Sequence, residues 1–220
     1  MRKNYLKFAA MALFTVFILA TVPQTSYAQS SKMLKQEQKE TEKNYKKVLT
    51  RLKKEGWQSA SSSTILELSL LKHMNKKAEN PTLIEITGET SCKSINVCKQ
   101  VAVNNAQNEY LQLVSGKIKG AFGSVLRSNP NITSEEIDKN VGQLTKQCEA
   151  DLSNLLTPSY SIVKGDGAVK QYRTVFLADP TKIITNIERS LKETKLTIEE
   201  VKSITKFVDD ELKKEAETEE

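Results

Sequence analysis

TLIEITGETSCKSINVCKQVAVNNAQNEYLQLVSGKIKGAFGSVL, residues 82–126, contains the change of period on which the fold turns. Up to Thr87 the side chains alternate, Leu83, Glu85 and Thr87 against Ile84 and Ile86, which is the period of a strand, with Gly88 read as its end. From about Ser94 to Leu126 the period lengthens to that of a helix. Cys98, Ala102, Ala106, Tyr110, Leu113, Val114, Ile118, Ala121, Phe122 and Val125 fall on one side. Ala102, Ala106, Gly116, Gly120 and Gly123 are small enough to let that helix lie close to a sheet. The string Gly116-Lys117-Ile118-Lys119-Gly120 lacks the Lys-Ser/Thr pair of a Walker loop, so it reads as packing rather than phosphate binding.

Downstream, Asn129-Pro130-Asn131 breaks the chain. Thr133 and Glu136 then form a capping box, with a hydrophobic staple from Ile132 to Ile137. The stripe Ile137, Val141, Leu144, Cys148, Leu152 and Leu155 places Cys148 on a buried face, where a thiol is inert. Ser159–Lys164 and Ala168–Ala178 flank Gly165-Asp166-Gly167, a hairpin signature. Asp179-Pro180 caps a helix with Ile183, Ile184, Ile187 and Leu191 inward. Thr197 and Glu200 open a last helix, carrying Val201, Ile204, Val208 and Leu212, which decays into the acidic run Glu215–Glu220.

Upstream, residues 31–55 read as a charged helix whose only stripe is Tyr45, Val48, Leu49 and Leu52, ended by Gly56 and anchored by Trp57. A capping box at Thr64 and Glu67 starts the next helix, with Ile65, Leu68 and Leu71, flanked by Leu70 and Met74, expected inward. The single histidine, His73, has no ligand-spaced neighbours and reads as a surface or boundary residue.

Arg2, Lys3 and Lys7 precede an apolar run from Phe8 to Val22, and Ser26-Tyr27-Ala28 ends the segment as a signal-peptidase site does. Fifteen apolar residues fall short of the ~20 needed to span a bilayer. Cleavage is therefore expected between Ala28 and Gln29, giving an exported, periplasmic or extracellular product with no transmembrane anchor. The expected organisation is a signal peptide (1–28), a charged N-terminal helical segment (29–55), an α+β domain (56–192) and a C-terminal helix with an acidic tail (193–220). Removing Arg2, Lys3 and Lys7 from the 33 basic residues leaves 30 against 27 acidic, so the net charge falls from +6 to +3. The basic residues lack interleaved aromatics, which argues against nucleic acid as a partner. If a disulfide forms, it is expected between Cys92 and Cys98, which requires Cys92 before a helix and Cys98 in its first turn, leaving Cys148 reduced.

Gly56-Trp57, Ile86-Thr87-Gly88-Glu89, the alanine-spaced helix around Ala102 and Ala106, and Tyr172-Arg173-Thr174-Val175-Phe176 together resemble the LPP-type twenty-kilodalton envelope lipoproteins and related uncharacterised exported proteins of Gram-negative bacteria. The resemblance spans roughly residues 56–190. It implies an α+β fold, a small antiparallel sheet with helices packed on one face, in a cell-envelope protein of a Gram-negative bacterium. It transfers no catalytic residue, and this chain lacks the cysteine that would carry a lipid.

One histidine removes the commonest base and metal ligand, and Gly-x-Ser-x-Gly, His-Glu-x-x-His and Cys-x-x-Cys are all missing. No catalytic, cofactor or metal residue is expected. The reading is a noncatalytic envelope protein that binds another envelope protein or a cell-wall component through an open sheet face or the charged terminal helices. The alternatives are a small-molecule carrier, a membrane-surface binder, which would need Lys32–Lys54 to form a helix with the broad apolar face that it lacks, and a carboxylate-based enzyme acting on an envelope glycan. The last has Glu85, Glu89, Glu109 and Asp166 as candidates, and needs two carboxylates ~5–9.5 Å apart in a pocket.

Overall fold

The structure, a computed structural model, describes residues 25–125, 133–165, 167–192, 194 and 196–218, with the backbone alone for 25–35 and 37. The signal features from Arg2 to Val22, the breaker around Pro130, the staple residue Ile132, and Asp166 lie outside these residues. The chain divides between Lys43 and Asn44 into two compact units. Helix α1 (Thr25–Lys54) contains the expected cleavage point, Ala28-Gln29, in its first turns.

In the second unit α1 ends as its sequence predicts. Gly56 adopts φ +81, its amide donates to the Lys53 carbonyl (3.1 Å), and the Trp57 amide donates to the Leu52 carbonyl (2.9 Å), the two bonds of a Schellman motif. Then follow β1 (Gln58–Ser59), α2 (Leu66–Glu79), β2 (Ile84–Cys92), α3 (Ile95–Val125), α4 (Ser134–Ala150), the single turn α5 (Leu152–Leu155), β3 (Leu156–Lys164), β4 (Lys170–Ala178), α6 (Pro180–Leu191) and α7 (Ile198–Thr218). The strands form one antiparallel sheet in the order β1-β3-β4-β2, so the chain has a mixed α+β fold.

The register gives each sheet face its own partners. Ile84, Ile86, Leu156, Phe176 and Ala178 share a face and join the larger core with α3, α4, α6 and α7. The opposite face bears Tyr160 and Ile162, which pack with Leu52, Trp57, Leu66 and Leu70 from the end of α1 and from α2. The main helical layer is therefore one-sided, but the other face is not bare. Strand β4 is buried on both sides, consistent with its near-continuous apolar run from Val175 to Ala178.

Several local expectations change. Gly88 does not end β2 but sits in its middle, because α3 crosses there; a Cβ on Gly88 would lie 1.8 Å from the Ala102 carbonyl oxygen. Gly116 and Gly123 face open space and Gly120 meets only the Phe207 ring, so Ala102 and Ala106 carry the close approach to the sheet. Helix α2 begins one residue late, with Ile65 as an N-cap that makes no side-chain bond, because Glu67 is drawn to Lys53 at 2.5 Å instead of back to Thr64. That bond also holds the Glu67 carboxyl below its ordinary pKa. Its inward face is Leu66, Leu70 and His73, leaving Ile65, Leu68 and Leu71 outside. Helix α7 does not fray at Glu215: it continues to Thr218 with Ala216 buried.

Candidate functional site

Two places gather chemistry-bearing side chains. The first is His73, which is not a surface residue but 1 % exposed. Its Nε2 lies 2.7 Å from Glu85 Oε1, its Nδ1 lies 2.8 Å from Ser159 Oγ, and the Tyr160 ring stands edge-on at 5.1 Å. An ionised Glu85 can only accept, so Nε2 donates to it; Nδ1 accepts the Ser159 hydroxyl proton when the ring is neutral and donates to Ser159 Oγ when the ring is charged. Ser159 reaches the ring because the β3–β4 register slips between Pro158 and Tyr160, leaving Ser159 as the bulged residue.

Burial raises the Glu85 pKa, but the hydrogen bond and charge of His73, with Lys77 at 3.8 Å, outweigh it and hold the carboxyl below its ordinary value. Burial and the nearby Glu85 charge push Tyr160 up to about 12. A serine, a histidine and a carboxylate in line have the composition of a nucleophilic relay, which also needs oxyanion donors and room for substrate. Neither of the two surface grooves described below is lined by these residues. What the network does in this fold is tie α2 to β2 and β3.

The second place is the end of the sheet where the β3–β4 hairpin turns. An open groove of about 910 Å³ is walled by Glu55, Gly56 and Gln58 after α1, by Ile95 at the start of α3, and by Val163–Gly165 and Val169–Gln171 of the hairpin. Beside it the ring of Trp57, 4 % exposed, meets two cations, with Lys164 Nζ at 4.5 Å and Arg173 Cζ at 4.8 Å from its centroid. The indole Nε1 donates to Glu55 Oε2 (3.1 Å), and Arg173 pairs with Glu89. Lys170 Nζ donates to the Gly165 carbonyl (2.5 Å) and closes the turn, where Gly165 takes φ +106. At the same end Cys92 closes β2, Cys98 lies in the first turn of α3, and the two are joined across a Cα–Cα distance of 5.6 Å. Cys98, Ala102 and Tyr172 form a small buried cluster behind that bridge.

A smaller hollow of about 290 Å³ lies at α6, where Asn186 Nδ2 and Arg189 both donate to Asp151 Oδ2 at 2.9 Å. Cys148 is free and buried, its pKa raised by burial and by Asp151 to about 11. Burial, with Cys148 and Asp151 adding to it, also raises the Tyr110 pKa.

The carboxylates picked out for a glycan enzyme do not converge. Glu85 is bound to His73 and Glu89 to Arg173, four residues or about 13 Å apart along β2. Glu109 is exposed on α3, and Asp166 lies outside the described residues. Glu55 is the one carboxylate on the described wall of the large groove. Among the described residues no three of His, Cys, Asp or Glu stand together as metal ligands, and no helix is long and apolar enough to cross a membrane.

Sequence reasoning missed the His73 network and the two cations on the Trp57 ring. The first left a trace, since Leu66, Leu70 and His73 lie at spacings of four and three. The second joins residues more than 100 positions apart and left none. Compared with protein-family models, curated proteins and solved structures, the chain matches none.

Proposed function

We propose that this is a noncatalytic, exported envelope protein that binds another envelope protein or a cell-wall component in the groove at the hairpin end. With both sheet faces occupied by helices, the open sheet face gives way to this groove as the binding surface. The observation that supports the reading is the groove's make-up. Its wall residues Gly56 and Gln58 flank the buried Trp57 in sequence, and Ile95 lies between the linked Cys92 and Cys98; the wall also offers Ile95 and Val169, both exposed, and Lys164 and Lys170 supply charge. Rigid walls with a few polar groups suit recognition, because little order has to be imposed when a ligand arrives.

The test places a photoactivatable side chain at Val169 in the producing cell, with a second at Thr185 beside the smaller hollow. A discrete adduct to an envelope protein or to peptidoglycan from position 169, lost on Lys164→Glu, is the expected result. Equal or no adducts from both positions would sink the reading.

A further inference from the structure

Helix α2 is apolar on two sides. Leu66 and Leu70 face the sheet, while Ile65, Leu68 and Leu71 stand 65 %, 44 % and 39 % exposed on the outside. Single exposed apolar side chains are ordinary, but three at intervals of three along one helix make a stripe, and such stripes mark a contact surface. Lys72 and Lys76, both exposed, continue the same side of the helix.

Helix α1 lies against α2: Tyr45 Oη donates to the Glu67 carbonyl (3.3 Å), Lys53 binds the Glu67 carboxylate, and Leu52 shares a cluster with Leu66 and Leu70. Away from that cluster this stretch of α1 exposes Lys47, Arg51 and Lys54. Glu67 is paired with Lys53, while Glu55, hydrogen-bonded to the Trp57 indole, keeps its charge, as does Glu79, exposed at the far end of α2; Lys47, Arg51, Lys54, Lys72 and Lys76 outnumber these two carboxylates.

We infer that the layer formed by α2 and the end of α1 docks on an anionic lipid bilayer. The stripe enters the boundary between headgroups and acyl chains, and Lys47, Arg51, Lys54, Lys72 and Lys76 meet the negative headgroups. The charge distribution favours this occupant over a second copy of the chain, since two such layers face to face would oppose cation with cation. A charged plane matches cations spread over two helices, and lysine stems are long enough to reach headgroups while their helix lies in the interface. The two helices share the surface: α1 brings Lys47, Arg51 and Lys54, and α2 brings the exposed apolar stripe with Lys72 and Lys76.

The experiment is co-sedimentation of the chain beginning at Gln29, its N-terminus checked by intact mass, with vesicles of phosphatidylglycerol and phosphatidylcholine or of phosphatidylcholine alone. Binding to the anionic vesicles that weakens with salt, and little to the neutral ones, is expected. Ile65→Asp with Leu68→Asp should lower the partition coefficient at least about tenfold, as should Lys72→Glu with Lys76→Glu. All four positions are exposed, so circular dichroism should be unchanged and melting should shift only slightly, upward for Ile65→Asp, which supplies the missing N-cap oxygen, and downward for Lys76→Glu in the last turn. Val169→Asp, in the groove, should bind vesicles as the parent does, which keeps this inference separate from the proposed ligand site. Equal binding to both vesicle types, no binding to either, or full binding by the Ile65/Leu68 double variant would overturn it.

Discussion

His73 shows how a single side chain can hold together elements distant in sequence. Its two ring nitrogens are bonded at 2.7 and 2.8 Å to residues on two different strands. Glu85→Gln keeps the shape but replaces a charge-assisted bond by a neutral one, and should cost about 1–2 kcal/mol at neutral pH. The sign with pH follows from the lowered Glu85 pKa. The carboxylate's contribution is full above its unfolded value of about 4.3 and is lost as pH falls through the lower folded value. Urea unfolding of parent and variant should therefore give a stability gap that narrows as pH falls below about 4. A gap constant down to pH 2 would contradict the assignment. Gly88 is the other decisive residue. Gly88→Ala puts a methyl group against the backbone of Ala102, which a packed helix cannot yield cheaply, so a loss of about 3 kcal/mol is expected by thermal or denaturant unfolding.

At the scale of elements, the helix starts separate local from tertiary control. Thr133 and Glu136 exchange bonds of 3.0 and 3.2 Å, and Thr197 and Glu200 bonds of 2.8 and 3.2 Å, as their spacing predicts. Thr64 and Glu67 have the same spacing and form no box, because Lys53 on the neighbouring helix competes for Glu67. Thr133→Ala and Thr197→Ala should each lower stability by about 1 kcal/mol, whereas Thr64→Ala should change it by a few tenths at most. A loss at Thr64 equal to the other two would show that the box forms in solution.

For the whole molecule, α7 packs Val201, Ile204, Val208, Leu212 and Ala216 into the larger core and Lys117 of α3 meets Glu215 at 2.9 Å, so the acidic end belongs to the folded body up to Ala216. Cys148 lies inside that core with its thiol pKa raised to about 11. Alkylation at pH 8 should leave it unlabelled in the native protein and label it fully in denaturant, since the thiolate is the reacting form. Intact mass of the same exported product should begin at Gln29, and peptide mapping without reductant should recover Cys92 linked to Cys98. Rapid native labelling of Cys148 would show a looser core than this structure has.

The order of elements, the Gly56 stop, the two working capping boxes, the Asp179 cap and the buried face of α3 were all legible in the sequence. Each depends on neighbours within about one or two turns, and backbone bonding and periodicity act at that range. Tertiary structure alone decided the rest. Helix α2 carries apolar residues all round, so periodicity could not say which side turns inward; the fit of Leu66, Leu70 and His73 against Tyr160, Ile162 and Glu85 chose it. The same choice buried the histidine and left Ile65, Leu68 and Leu71 outside beside the cations of α1. Gly88, read as a strand end, became a mid-strand crossing point because a helix starting seven residues later packs back over it. The groove at the hairpin end joins Glu55, Ile95 and Lys170, and only long-range pairing brings such distant residues together.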